Sequence, residues 1–190
     1  MDEAGARAAV SRIGADADLW VFAYGSLIWN PGFPYTSREP ATLIGFHRRY
    51  CIRSEVYRGT PEAPGLVLGL EQGGRCEGVA YRVAAELAGT TMQYLREREL
   101  ITSVYNEMVV AVETRDGARR EAVTYVADPD HEQYVAASDF DAMIETIAGA
   151  SGKAGPNTEY AINTWANLTG LGIDDPLVAR VAEALRRRAR

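Results

Sequence analysis

Two connections constrain this chain more than any other feature: residues 71 to 76 and 114 to 121 each join a pair of strand-like runs across a gap too short for a helix. Parallel strands need a crossover of a dozen or more residues. Both pairs are therefore expected to be antiparallel, with Gly73-Gly74 and Asp116-Gly117 supplying the turns. Apolar, β-branched and aromatic runs mark six strands, near 20–24, 41–53, 65–71, 76–83, 104–114 and 121–127. Helical periodicity appears at 84–99, with Leu87, Met92 and Leu95 as buried candidates, and again at 139–149, 157–169 and 175–189. Strands come first and helices last, which favours an α+β fold with a mostly antiparallel or mixed sheet over a doubly wound one.

A length of 190 residues suits one domain, 1–190, able to bury about two-thirds of the surface its unfolded chain exposes. The net charge of -6 argues against a phosphate-backbone partner, so no nucleic acid is expected. The arginines of Leu185-Arg186-Arg187-Arg188-Ala189-Arg190 read instead as the solvated last turn of a helix, where cations suit the macrodipole. Cys51 and Cys76 lack CxxC spacing, so neither a disulfide framework nor a zinc site is indicated, and a reducing compartment is the simpler reading. The first 18 residues carry early acids and no apolar core of signal-peptide length. No apolar run reaches the roughly 18 residues that suggest a membrane helix, and a cytoplasmic protein is expected.

The stretch WVFAYGSLIWNPGF at 20 to 33 carries the strongest chemical signal. An apolar strand there runs into Tyr24-Gly25-Ser26-Leu27 and stops at Asn30-Pro31-Gly32. Glycine adopts backbone angles closed to other residues and lets main-chain N–H groups converge, and converging N–H groups bind anions. Ser26 adds a hydroxyl donor and Tyr24 a ring with a polar tip. Taken alone, a Tyr-Gly-Ser-Leu sequence reads as an ordinary strand-to-loop turn.

Its company changes that reading. The stretch is followed by GFHRRYCIRS at 45 to 54, RGTPEAPGLVLGL at 58 to 70, GVAYRV at 78 to 83, REL at 98 to 100, DPDHEQYV at 128 to 135 and GPNTEY at 155 to 160. In this order the segments resemble the ChaC-type, glutathione-specific γ-glutamylcyclotransferases, over about Trp20 to Gly172. Residues 1–18 then read as an N-terminal extension. The resemblance implies a small, partly closed mixed β-barrel with flanking helices and a lyase-type reaction without metal or cofactor. In that reaction the α-amine of a γ-glutamyl compound attacks its own γ-carbonyl, giving 5-oxoproline and releasing the amine, Cys-Gly when the substrate is glutathione.

The attacking amine is an ammonium at neutral pH and needs a base. The resemblance assigns that role to Glu99, in the REL segment. Glu97 is its rival, but residues two apart on a helix point about 200° from each other, so only one of them can face a pocket. Arg96 falls on another face, and Glu97 and Arg98 read as solvated surface. A glutamate base gains from a raised pKa, and burial supplies one. Glu99 is therefore expected in a partly apolar pocket near Tyr24, Gly25, Ser26 and Leu27, whose N–H groups would receive either the α-carboxylate of the substrate or the developing oxyanion.

Arg58, Tyr105 and Tyr160 complete the expected substrate contacts, the arginine by a bidentate carboxylate pair and the tyrosines by their phenols. His47 and His131, the only histidines, are not at ligand spacing from one another. Two positions depart from the family pattern: Tyr57, where many relatives carry histidine or a small residue, and Ser103, where a glycine is common. Both bear on substrate preference rather than reaction type. A bulkier Tyr57, facing inward, would narrow the space for the departing Cys-Gly. The competing functions are the same chemistry on other γ-glutamyl peptides or amines, and a non-catalytic binder of a small acidic metabolite. Such a binder would have no reason to keep Glu99.

Overall fold

The apolar run Leu19–Ala23 forms strand β1, four of its five residues buried. In a computed structural model that describes residues 17–136 and 139–188, it is paired on both sides. It runs antiparallel to β3 (Gly65–Val83), from Leu19↔Val83 to Ala23↔Val79, and parallel to β5 (Arg119–Ala127) at Val21↔Val123. A strand hemmed in this way carries a continuous apolar run instead of an alternating one. With β2 (Ser37–Ser54) and β4 (Tyr105–Thr114), the strands close a barrel in the order β1-β3-β2-β4-β5. Two side chains reinforce the parallel seam: Thr124 Oγ1 donates to the Phe22 carbonyl at 3.0 Å and the Tyr24 hydroxyl to the Tyr125 carbonyl at 2.8 Å.

The expected α+β class, a small mixed barrel with flanking helices, is the observed one, but the six strands expected in it are five. Gly73 and Gly74 do not reverse the chain. They take φ of 101° and 68° inside the continuous β3, bending the strand without ending it, and the Gly73 carbonyl lies 3.0 Å from His47 Nδ1 on β2. A glycine pair serves a strand bend as readily as a hairpin, and pattern alone does not separate the two. Asp116-Gly117 does form its hairpin, with Gly117 at φ 80° and Asp116 Oδ1 accepting from Thr114 Oγ1 at 2.6 Å. β4 and β5 then pair from Glu113↔Arg119 to Tyr105↔Ala127.

Four helices occupy the expected segments: α1 (Ala85–Glu99), α2 (Phe140–Gly149), α3 (Asn157–Gly170) and α4 (Pro176–Arg188). On α1, Met92 and Leu95 are buried while Leu87 is half-buried. Asp139 caps α2 through the N–H groups of Asp141 and Ala142, and Asp175 accepts from Val178 N at the start of α4. None of the described helices is long and apolar enough to cross a membrane. Residues 1–16 of the expected extension, and Ala189 and Arg190 of the arginine tail, lie outside the described residues.

Contacts gather the described residues into two compact units, one drawn from 17–47 and 70–128 and the other from 48–69 and 129–188. The first holds β1, β4, β5, α1 and the larger parts of β2 and β3. Its centre is built from fully buried side chains, among them Phe22, Leu43, Leu70, Tyr81 and Leu95. The second holds α2 to α4 and the short β6 (Ser151–Gly152) and β7 (Gly155–Pro156). Tyr50, Ile147, Leu168 and Val181 are buried in it. There the guanidinium of Arg48, 1% exposed, stands 3.5 Å from Asp175.

Ser103, in the link between α1 and β4, is the one non-glycine with positive φ among the described residues, at 58°. A left-handed conformation costs a residue with a Cβ roughly 1 kcal/mol. Ser103→Gly is expected to stabilise the fold by about 0.5 kcal/mol after the added freedom of the unfolded chain is subtracted. Thermal melting tests this, and a lowered midpoint would remove the claim of strain.

Candidate active site

β1 ends at Ala23, and after Gly25 the chain enters a single 3-10 turn, Ser26–Ile28. The first internal bond of that turn, Ile28 N to the Gly25 carbonyl at 2.9 Å, leaves the N–H groups of Ser26 and Leu27 without a partner inside it. Two adjacent donors at a strand end fit the anion-receiving role expected of this segment. The turn is held from behind, because the Tyr81 hydroxyl approaches the Leu27 and Ile28 carbonyls at 3.1 and 2.8 Å. Leu27 itself is 6% exposed and belongs to the core. Tyr24 is buried too, and its hydroxyl proton is directed to the Tyr125 carbonyl across the barrel seam.

The Asn30-Pro31-Gly32-Phe33 stretch explains itself by what it touches. Gly32 has φ 74°, and a Cβ there would lie 1.8 Å from the Tyr94 hydroxyl on α1. Phe33 stands edge-on to Tyr81 and Tyr94, with centroids 5.6 and 6.5 Å away. Only glycine permits this approach of the loop to the helix.

Glu99 closes α1 four residues after the fully buried Leu95, so both share the inward face. Its side chain is 17% exposed. Glu97 is exposed and accepts from Gln93 Nε2 at 2.9 Å, as the 200° separation requires. Burial pushes the Glu99 carboxyl above the ordinary 4.5, and the adjacent Arg98 guanidinium pulls the other way, its Nε 3.0 Å from Glu99 Oε1.

Arg98 was expected on the solvated surface, and the structure corrects this. Its side chain is 21% exposed and its Nη2 donates to Ser26 Oγ at 3.0 Å, so one guanidinium bridges Glu99 and the turn. Its Nη1 reaches the Asn30 carbonyl at 2.6 Å and the Tyr94 hydroxyl at 3.0 Å. The signal was the spacing of Tyr94 and Arg98, one helical turn apart beside the Asn30–Phe33 loop.

Sequence reasoning also passed over Glu107. On β4 it stands two residues from Tyr105, hence on the same face, and is paired in register with Tyr125 of β5. Its side chain is 10% exposed and accepts a two-pronged bond from Arg96, with Nε 3.0 Å from Oε2 and Nη2 2.8 Å from Oε1. The Tyr125 hydroxyl donates to Glu107 Oε2 at 3.2 Å. Burial first, then the Glu107 charge and its hydrogen bond, then the charge of Glu99, keep that phenol protonated. Strand alternation from Tyr105 would have put Glu107 on the candidate face.

Arg58 and Tyr160 lie together in the second unit. The Arg58 guanidinium sits over the Tyr160 ring, 5.8 Å from its centroid, donates to the Pro156 carbonyl at 3.0 Å and lies 3.7 Å from Glu159. The Tyr160 hydroxyl accepts from Leu68 N at 3.1 Å. Tyr57 beside them is 46% exposed. Close glycine packing fixes this loop: a Cβ at Gly59 would meet the Ser54 carbonyl at 2.4 Å, and one at Gly152 the Gly59 carbonyl at 2.6 Å.

The five-stranded mixed barrel with its flanking helices is a fold shared with γ-glutamyl cyclotransferases. The structure matches the crystal structure of a γ-glutamyl cyclotransferase specific to glutathione from yeast with a TM-score of 0.82 at 25% identity, covering 90% of this chain and 96% of that one. In sequence the chain is 36% identical over 160 residues to the glutathione-specific γ-glutamylcyclotransferase of Escherichia coli (strain K12), covering 84% of this chain and 69% of the relative. It is 30% identical over 173 residues to glutathione-specific γ-glutamylcyclotransferase 1 of Homo sapiens, covering 88% and 78%. The model of the ChaC-like protein family matches residues 19–188, and the chain belongs to that family.

Gly32→Ala is expected to lower stability by about 2 kcal/mol, the sum of a strained φ and an overpacked contact with Tyr94. Chemical denaturation measures this, and an unchanged midpoint would show that the loop does not depend on its approach to α1.

Proposed function

We propose that this chain is a γ-glutamylcyclotransferase, a lyase that converts glutathione to 5-oxoproline and Cys-Gly. The observation that carries the reading is the Glu99 carboxylate, withdrawn from water on the inner face of α1 and linked through one guanidinium to the donor-bearing Ser26 turn. The glutathione-specific names of the relatives in E. coli and human support the substrate.

Glu99 takes a proton from the substrate α-ammonium, freeing the lone pair of the nitrogen. The nitrogen attacks the γ-carbonyl carbon, and the carbonyl π electrons move onto oxygen. The attacking nitrogen then carries a second removable proton; Glu99 hands its first proton to the cysteinyl nitrogen and passes the second across in the same way, so that when the oxyanion collapses and the bond to the cysteinyl nitrogen breaks, the ring closes as a neutral lactam, Cys-Gly leaves as its ammonium and the carboxylate is restored. The Ser26 and Leu27 N–H groups serve as the anion receiver, for the α-carboxylate or for the oxyanion. Tyr105, on the face of β4 that also carries Glu107, is the phenol assigned to the substrate in this unit. Two buried cysteine thiols suit a reducing compartment, and we place the reaction in the cytoplasm.

Since burial raises the Glu99 pKa, the base is lost as pH falls through a value above 4.5. The acid limb of kcat/KM, which reports the free enzyme, should lie above that value. Release of 5-oxoproline, followed across pH with glutathione and with γ-glutamyl dipeptides side by side, tests activity and preference together. Turnover of the dipeptides alone would replace glutathione as the substrate, and no 5-oxoproline from either would refute the reading.

A further inference from the structure

We propose that Arg98 is a positioning residue of the reaction, a single guanidinium that holds the Glu99 carboxylate and the Ser26 turn at fixed separation. The inference deepens the cyclotransferase reading and rests on it. An arginine in the last turn of a helix ordinarily extends into solvent, where it interacts with the helix dipole. Arg98 instead uses every nitrogen on the site: Nε on Glu99, Nη2 on the Ser26 hydroxyl, and Nη1 on the Asn30 carbonyl and the Tyr94 hydroxyl. These partners belong to α1, to the 3-10 turn and to the loop that follows it.

The geometry has a chemical consequence. Base and anion receiver must be set to within a fraction of an ångström, because a misplacement of 1 Å costs on the order of a hundredfold in rate. A planar fork fixes two acceptors at once, whereas the compact charge of a lysine on its flexible stem satisfies one. Charge matters as well. The groups around the Glu99 carboxylate are Arg98 on α1 and Tyr125 on β5, with Glu107 of β4 behind Tyr125 and Arg96 of α1 paired to Glu107. Arg96 is committed to Glu107, and Tyr125 is neutral. Arg98 is therefore the cation that keeps a desolvated carboxylate ionised enough to accept a proton.

The test uses the full chain with Arg98→Met, which keeps a similar length of apolar stem, and Arg98→Lys, which keeps the charge without the fork. Two quantities are read: kcat/KM for glutathione across pH, and titration of the Glu99 carboxyl by isotope-edited infrared spectroscopy, with thermal melting as the check on folding. Arg98→Met should lower kcat/KM about a hundredfold and move both the acid limb and the carboxyl titration up by about one pH unit. Arg98→Lys should return the titration towards the wild-type position while leaving kcat depressed about tenfold or more, and it answers the question by itself if the Met variant does not fold. A folded Arg98→Met protein whose carboxyl titrates as in wild type, or an Arg98→Lys protein with wild-type kcat, would overturn the proposal. Failure of the wild-type protein to release 5-oxoproline would refute the cyclotransferase reading instead, and the infrared titration would still decide whether Arg98 governs Glu99.

Discussion

Everything at the candidate site depends on the desolvation of one carboxylate. Leu95 is buried completely, and helical geometry places the side chain four residues later on the same face, so Glu99 is drawn in with it. Removing a charge from water is unfavourable unless it is paired. The pairing here is partial by construction: Arg98 offsets the burial without reversing it, and the carboxyl remains a better proton acceptor than an exposed glutamate. A stronger pairing would make a weaker base, and without Arg98 burial would push the carboxyl further up.

The barrel serves this balance by fixing what faces Glu99. Its parallel β1-β5 seam, reinforced by Thr124 and Tyr24, sets where the first strand stops and thus where the Ser26 turn projects. The β4-β5 ladder sets Glu107 opposite Tyr125, and Arg96 fastens that pair to the same helix that carries Glu99. Three separate segments therefore meet through Arg96 and Arg98, two residues apart on α1. Gly32 permits the close approach to Tyr94 that completes the arrangement.

Much of this was legible in the chain. The short 114–121 connection marked a true hairpin, periodicity located the four described helices, and the 200° rule indicated that only one of Glu97 and Glu99 would face inward. The errors have physical causes. Gly73-Gly74 was read as a reversal because local sequence records that positive φ is allowed, not whether the chain bends or turns back there. Arg98 was read as solvated because a charged run near a helix end usually is, and what draws it inward are carbonyl and hydroxyl acceptors more than 60 residues away in sequence. The closed strand order, which depends on the pairing of β1 with β5 across about a hundred residues, leaves no local mark.

The chemistry asks for a base that acts on the substrate's own nitrogen, and Glu99 is the group whose removal speaks to that most directly. Substituting Glu99→Gln keeps the size of the side chain and an acceptor for Arg98 while deleting the proton-accepting oxygen. Glutathione binding by calorimetry, measured with 5-oxoproline release on the same preparation, is the deciding experiment. The account predicts binding close to wild type and turnover lower by about a hundredfold to ten-thousandfold. A variant that binds and still cyclises glutathione at the wild-type rate would contradict it.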